Sequence, residues 1–130
     1  MCAWANLLQE VKFDGAGLVP AIIVDAASNR PLTLCYMNRQ ALEKTLETGL
    51  VHVFRRSKGR VMLKGEVSGH TQRVEQMAID CEGKSLAITA EQRVAACHLG
   101  YRSCYYRVYD PASDSFIVSE DKVFDPDSVY

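Results

Sequence analysis

The chain has 130 residues, of which 48% are apolar, and its formal net charge is −1. This length predicts one domain over residues 1–130 with a modest core, to which a bound metal or a partner subunit would add stability. The near-neutral charge gives no indication of a nucleic-acid partner. The sequence contains no apolar run of membrane-spanning length and no signal-peptide pattern, so we expect a cytoplasmic protein that makes no membrane contact and keeps its thiols reduced.

Apolar periodicity and turn residues predict an α+β fold that is mainly β, a small β-rich domain with short helices. Asn38 is the expected N-cap of the longer helix and Gly49 its end. The predicted elements are helices over 4–12 and 39–47 and strands over 18–25, 32–36, 50–55, 71–79, 85–89, 105–109 and 115–118. We expect residues 122–130 to be poorly structured.

The five cysteines do not indicate a disulfide framework, because their number is odd and no secretion signal is present. Cys35 lies in an apolar run and is expected to be a small buried hydrophobic residue. Cys81, Cys97 and Cys104 remain as candidates for chemistry.

Cys97, His98 and Cys104 lie within eight positions, and Cys81 lies upstream between Asp80 and Glu82. Thiols and imidazoles suit zinc, and three protein ligands leave one position of the tetrahedron for water. The spacing matches no zinc-finger pattern, so three unconnected buried thiols remain an alternative to a metal site. His98 is a candidate for proton transfer, or else a hydrogen-bonded residue of a structural loop.

The most basic part of the chain, residues 55–70, is punctuated by glycines. This composition is typical either of a solvated loop or of an anion-binding loop, in which backbone N–H groups and cationic side chains bind phosphate. Arg102 is a candidate either for binding phosphate or for neutralising the thiolates. The candidate substrate-binding residues are Arg56, Ser57, Lys58, Lys64, Ser68, His70 and Arg102.

The sequence resembles phosphoribosyl-AMP cyclohydrolase of histidine biosynthesis over residues 17–107, which leaves 108–130 as a C-terminal extension. The resemblance rests on these motifs: Gly17-Leu18-Val19-Pro20-Ala21, Tyr36-Met37-Asn38 with Ala41, Thr48-Gly49, Arg56-Ser57, Lys64-Gly65-Glu66 with Ser68-Gly69, Gln72-Arg73-Val74, Asp80-Cys81, Ala96-Cys97-His98 and Arg102-Ser103-Cys104-Tyr105-Tyr106-Arg107.

The resemblance implies an intertwined homodimer in which zinc is bound by Cys81 of one chain and by Cys97 and Cys104 of the other. It implies a small nucleotide substrate, 1-(5-phosphoribosyl)-AMP, whose adenine ring is opened by hydrolysis at the N1–C6 bond. The product is the formimino-aminoimidazole carboxamide ribonucleotide of the third step of the pathway. His98 would then move a proton, and the basic residues 55–64 would hold one of two phosphates.

The sequence departs from the family pattern at two positions. The family's magnesium site uses three acidic residues, which correspond here to Asp80, Glu82 and Lys84. Magnesium therefore either binds weakly through Asp80 and Glu82 or is replaced by the ammonium of Lys84, which we favour. Met62 stands where the family usually has Trp, which alters a base-stacking or core contact.

Two alternatives remain open at this point. One is a diverged relative that acts on another purine nucleotide, which Lys84 and Met62 suggest. The other is a non-enzymatic binding module that zinc stabilises. A zinc-dependent base deaminase is disfavoured, because the sequence has neither an H-x-E nor a P-C-x-x-C pattern.

Overall fold

The computed structural model describes residues 4–130, which form two α-helices, eight strands and one 3-10 turn. The elements, in chain order, are α1 (Ala5–Glu10), β1 (Val19–Asp25), β2 (Pro31–Met37), α2 (Arg39–Thr48), β3 (His52–Arg55), β4 (Arg60–Leu63), β5 (Gln72–Ile79), β6 (Leu86–Gln92), β7 (Arg107–Asp110), β8 (Ser115–Val118) and the 3-10 turn (Pro126–Ser128). The predicted α+β, mainly β fold is thereby confirmed.

The central sheet has four strands in the order β2-β1-β6-β5. Its outer pairs, β1 with β2 and β5 with β6, are antiparallel hairpins. The two hairpins are joined by parallel pairing of β1 with β6, from Ala21 opposite Leu86 to Asp25 opposite Ala90. This pairing brings the end of β1 next to the residues that follow β6.

The core lies between this sheet and α2, because alternate residues of β1 and β6 point to one face and are buried. The buried face of α2 is formed by Ala41, Leu42 and Thr45. Asn38 accepts a hydrogen bond from the Ala41 N–H at 2.8 Å, and Gly49 ends the helix at φ 77°. Among residues 4–130, no helix is both long and apolar enough to cross a membrane.

The prediction of a loop over residues 55–64 is wrong for its second half. Arg60–Leu63 forms β4, which pairs with β3 from Arg55 opposite Arg60 to His52 opposite Leu63. Glycines and cationic residues surround this short strand, so its sequence is typical of a loop. Val61 nevertheless packs against the core. The basic residues therefore sit on a hairpin, which is more rigid than an open loop.

Residues 122–130 have little regular structure, as predicted, but they are not detached from the domain. Phe124 packs edge-on against His70 with ring centroids 4.7 Å apart, and the Val123 N–H donates to the Gly100 carbonyl at 2.8 Å. The prediction of little regular structure is therefore correct, and what it did not include is the packing of the segment on the domain. Aromatic and backbone contacts to distant residues order the segment, and a local sequence pattern cannot register them.

Candidate active site

A cleft of about 770 Å³ opens beside the central sheet. Such a volume is typical of sites for small molecules and cofactors. Its lining combines side chains from the β3–β4 hairpin, the loop after β4, the residues after β6 and the C-terminal segment. Those that carry charge or reactive groups are Arg55, Lys58, Lys64, Glu66, Ser68, His70, His98, Cys104, Asp127 and Tyr130.

Cys97 opens a tight turn after β6, which we call the cysteine loop (residues 96–104). The Gly100 N–H donates to the Cys97 carbonyl at 3.2 Å, and Gly100 adopts φ 104°, a conformation that glycine reaches without strain. The Ala96 N–H closes the loop by donating to the Arg102 carbonyl at 2.8 Å. The Cys97 side chain is thereby buried, while the next residue, His98, stays exposed on the cleft wall.

Cys104 is fixed to the start of β2. Its N–H donates to the Leu32 carbonyl at 2.7 Å, and the Ser103 hydroxyl donates to the Pro31 carbonyl at 2.7 Å. The Cys104 thiol consequently lies against the Cys97 thiol and close to the hydroxyl of Thr33. Burial raises the pKa of the Cys104 thiol above its ordinary value of 9.0, and the Cys97 thiol adds to this rise. The two thiols form a preorganised pair of soft ligands.

Lys64 lies beside the thiol pair. Its ammonium donates to the Ala96 carbonyl at 3.3 Å, at the entrance of the cysteine loop. Burial lowers the pKa of Lys64, whereas the neighbouring thiols of Cys104, Cys35 and Cys97 act to raise it. Negative charge on these thiols would therefore be compensated by a cation that the fold has already placed there.

Arg102 points away from the cleft. Its guanidinium donates to both carboxylate oxygens of the buried Asp25, at 3.3 and 3.4 Å, and to the Val94 carbonyl at 2.9 Å. Burial alone would raise the pKa of Asp25, but hydrogen bonds from Ala27, Ser28 and Arg102 outweigh this effect and lower it. The structure thus places Arg102 in an ion pair that ties the cysteine loop to the end of β1.

The two histidines of the cleft differ in environment. His98 is exposed, which suits a group that exchanges protons with substrate or water. His70 is buried, and its ring contacts Phe124. Burial lowers the pKa of His70, and the cations of Arg93 and Lys64 lower it further, against a hydrogen bond to the Ala95 carbonyl. His70 is therefore neutral at pH 7.

The remaining predicted substrate-binding residues are divided between two neighbouring cavities. Lys58 and Ser68 line the main cleft, and Ser68 accepts a hydrogen bond from the His70 N–H at 3.1 Å. Arg56 lines a smaller cavity of about 280 Å³ and stacks on the ring of Tyr36, with 4.4 Å from its guanidinium carbon to the ring centroid. Ser57 is exposed and lies at neither cavity.

Cys81 is exposed in the turn between β5 and β6. The carboxylate of Asp80 organises this turn by accepting hydrogen bonds from the N–H groups of Glu82 and Lys84 and from the Ser85 hydroxyl, at 3.0, 2.9 and 2.6 Å. The hydrogen bond from Ser85 and those from the backbone hold the pKa of Asp80 below its usual range. Glu82 pairs with Lys84 at 3.3 Å.

Within one chain, residues 4–130 bring no three His, Cys, Asp or Glu side chains close enough to hold a metal ion. Cys97 and Cys104 are together, but Cys81 does not line the cleft. A single chain therefore presents two of the three predicted thiol ligands in one place.

Several residues that shape the site carry no recognisable signal in the sequence. Asp25 holds Arg102, and Phe124, Asp127 and Tyr130 bring the C-terminal segment to the cleft. The Asp125-Pro126-Asp127 sequence does predict the local turn, since Asp125 caps it and Pro126 begins it. The sequence does not indicate that this turn packs at the cleft, because that contact joins residues far apart in the chain.

Paired thiols, an accessible imidazole and several cations around a cleft of this size are typical of a catalytic site for a small anionic molecule. Comparison with known proteins agrees with this class. The family model described as phosphoribosyl-AMP cyclohydrolase matches residues 33–106. This range contains the cysteine loop, Lys64 and the Cys81 turn.

Individual relatives match over almost the whole chain. The phosphoribosyl-AMP cyclohydrolase of Methanothermobacter thermautotrophicus is 46% identical over 119 residues, which cover 90% of this chain and 85% of that protein. That of Methanosarcina barkeri is 44% identical over 131 residues and 98% of each chain. The histidine biosynthesis bifunctional protein HisIE of Thermoanaerobacter pseudethanolicus is 45% identical over 125 residues, and the match covers 96% of this chain but 57% of that protein.

The chain therefore belongs to the phosphoribosyl-AMP cyclohydrolase family, which confirms the resemblance inferred from its motifs.

The ion pair between Asp25 and Arg102 leads to a prediction about stability. Asp25→Asn leaves the guanidinium half-buried without its counter-charge and should lower the free energy of unfolding by about 1–3 kcal/mol at pH 7. Because the pKa of folded Asp25 lies below the ordinary value of 3.8, this contribution is present above that value and is lost as the pH falls through the folded pKa. Urea denaturation at pH 7 and pH 3 measures both effects.

Glu43→Gln serves as the matched control, because it removes an exposed ion pair with Arg39 on α2. Glu43→Gln should lower the free energy of unfolding by less than about 0.5 kcal/mol. An equal decrease in the free energy of unfolding for the two variants would show that the ion pair of Asp25 with Arg102 has no special structural role.

Proposed function

We propose that this chain catalyses the zinc-dependent hydrolysis of the N1–C6 bond in the adenine ring of 1-(5-phosphoribosyl)-AMP, the third step of histidine biosynthesis. The product is the formimino-aminoimidazole carboxamide ribonucleotide. The observation that carries the proposal is the cleft of a member of this family, where the Cys104 thiol, itself in contact with Cys97, meets an accessible imidazole and cations. The two archaeal relatives, both phosphoribosyl-AMP cyclohydrolases, agree with this activity.

The donor set fits zinc. The thiols of Cys97 and Cys104 are adjacent, the Leu99 N–H donates to the Cys97 sulfur at 3.4 Å, and the ammonium of Lys64 lies alongside. Thiolates are preferred zinc ligands, and an N–H donor and a nearby cation both stabilise them. Cys97 and Cys104 would hold the metal, together with Cys81 of a second copy. When bound, zinc supplies Lewis acidity and an activated water at neutral pH.

The residues of the cleft then have distinct tasks. His98 accepts a proton from the attacking water and returns one to N1 as the N1–C6 bond breaks. Lys58, together with Arg55 at the same hairpin, binds a phosphate group through charge-assisted hydrogen bonds. Neutral His70 and the hydroxyl of Ser68 contribute polar contacts on the same wall. The catalytic proton transfers are thereby separated from the binding of phosphate.

A second copy of the chain is part of the proposal, because one chain keeps Cys81 away from the thiol pair. The β7–β8 hairpin supports self-association. Val108, Phe116, Ile117 and Val118 on this hairpin are each more than half exposed. Val108 and Ile117 lie on one face of the hairpin and Phe116 and Val118 on the other, so both faces expose apolar side chains that a partner would cover. An isologous dimer would give each site Cys81 from one copy and the thiol pair from the other.

We infer that Lys84 takes the place of a magnesium ion near Cys81. The ammonium of Lys84 already pairs with the carboxylate of Glu82 at 3.3 Å, and Asp80 accepts three hydrogen bonds within its own turn. Magnesium would have to break these contacts and would meet a positive charge in place of a third carboxylate.

The first prediction from this proposal concerns turnover. The purified protein should open the ring of 1-(5-phosphoribosyl)-AMP, and His98→Gln should lower kcat by about 100-fold or more, as expected for loss of a general acid–base. Product absorbance measures the rate, before and after chelation of zinc. His52→Gln is the matched control, because His52 lies on β3 away from both cavities.

Three results would argue against the proposed function. A wild-type protein without turnover on this substrate, but with turnover on another purine nucleotide, would point to the diverged relative. A folded His98→Gln variant as active as His52→Gln would remove His98 from the mechanism. If neither substrate class is turned over and chelation merely unfolds the protein, the binding module is supported instead.

The second prediction concerns magnesium. Calorimetric titration of the zinc-loaded protein with Mg²⁺ should show no binding at micromolar concentrations, and Lys84→Asp should create such binding by restoring a third carboxylate. Lys58→Asp is the control, because it makes the same change of charge outside the Cys81 turn and should not create magnesium binding. Micromolar binding of one magnesium ion per chain by the wild-type protein would contradict the role of Lys84.

A further inference from the structure

The segment Glu120–Tyr130, which we call the strap, is tied to the domain at several points. Arg30 donates two hydrogen bonds to the Glu120 carboxylate, at 2.7 and 3.1 Å. The Val123 N–H donates to the Gly100 carbonyl of the cysteine loop at 2.8 Å, and the aliphatic chain of Lys122 lies against the same glycine. These contacts hold the strap on the loop that carries Cys97 and His98.

The fit between the strap and the cysteine loop is tight. A Cβ added to Gly100 would lie 2.8 Å from the Phe124 carbonyl oxygen, closer than real Cβ contacts allow. The Phe124 ring then meets the buried ring of His70 at 4.7 Å. The strap is therefore packed against both the cysteine loop and the loop after β4.

The end of the strap folds back towards the cleft. Asp125 accepts a hydrogen bond from the Asp127 N–H at 3.0 Å, Ser128 donates to the Asp125 carbonyl at 2.7 Å, and the Tyr130 N–H donates to the Pro126 carbonyl at 3.0 Å. This turn places Pro126, Asp127 and Tyr130 in the lining of the cleft, together with His98 and Cys104.

Asp127 brings a negative charge to a cleft that is otherwise largely cationic. The cleft is lined by three cations, Arg55, Lys58 and Lys64, and by two carboxylates. Glu66 lies 3.9 Å from Arg60 and is thereby partly neutralised. Within residues 4–130, the Asp127 carboxylate has neither an ion pair nor a hydrogen bond from another side chain, so its acceptor oxygens are available to a ligand.

We propose that the strap completes the substrate cavity and that Asp127 is a specificity-determining residue, which accepts hydrogen bonds from the sugar hydroxyls of the nucleotide. The inference rests on the proposed function, since it takes a nucleotide as the ligand. A carboxylate accepts hydroxyl hydrogen bonds well and repels phosphate. Asp127 thus favours the orientation in which the phosphates lie at the lysines and a ribose lies at the strap.

The test compares Asp127→Ala and Asp127→Asn in steady-state kinetics with 1-(5-phosphoribosyl)-AMP. Asp127→Ala should raise KM about tenfold with little change in kcat, as expected when a binding contact to a charged group is lost away from the reacting atoms. Asp127→Asn keeps one acceptor oxygen, so its KM should lie between that of Asp127→Ala and that of the wild type. Asp121→Ala is the control, because Asp121 is exposed and outside the cleft lining.

A binding measurement separates this inference from the proposed activity. Calorimetry should show that the wild-type protein binds AMP more tightly than 2′,3′-dideoxy-AMP, whereas Asp127→Ala binds both with the same affinity. This comparison needs no turnover. An inactive wild-type protein would therefore count against the proposed reaction, while the calorimetry would still test whether Asp127 binds the sugar hydroxyls. An unchanged preference for AMP in Asp127→Ala, or a KM equal to that of Asp121→Ala, would overturn the inference.

Discussion

The attachment of the cysteine loop to the sheet is the constraint on which the site depends. Asp25 at the end of β1 holds Arg102, and the start of β2 accepts hydrogen bonds from Ser103 and Cys104. Parallel pairing of β1 with β6 makes this possible, because it brings the chain that leaves β6 alongside the end of β1. Two thiols seven positions apart are thereby held against each other before any ligand arrives.

This arrangement also determines the electrostatics of the cleft. A pair of thiols in a partly buried place resists ionisation, as the raised pKa of Cys104 shows. Lys64 opposes that tendency, and its own pKa is lowered by burial. The Lys64 ammonium favours loss of the thiol protons, and the thiolates that result are the form of the side chains that binds a soft dication.

Local features of the fold were predictable from sequence, whereas long-range ones were not. Asn38 and Gly49 delimit α2 because capping depends on the residue and its immediate neighbours. The three thiols and His98 were recognisable as candidates by residue type, but their spacing left a metal site and three unconnected thiols both open. The strand β4 was missed because its alternation is short and lies next to glycines and cations. The partnership of Asp25 with Arg102 spans 77 positions, and the docking of Phe124 on His70 also joins distant parts of the chain.

The most direct test of the central claim, that two chains build one zinc site, mixes two inactive variants. Cys81→Ser and Cys97→Ser should each be inactive alone, since each lacks a ligand in both sites of its homodimer. After joint unfolding and refolding with zinc in equal amounts, half of the dimers are mixed and each of these regains one complete site. The account therefore predicts about a quarter of the wild-type activity. Full activity of Cys81→Ser alone, or no activity in the refolded mixture, would contradict it.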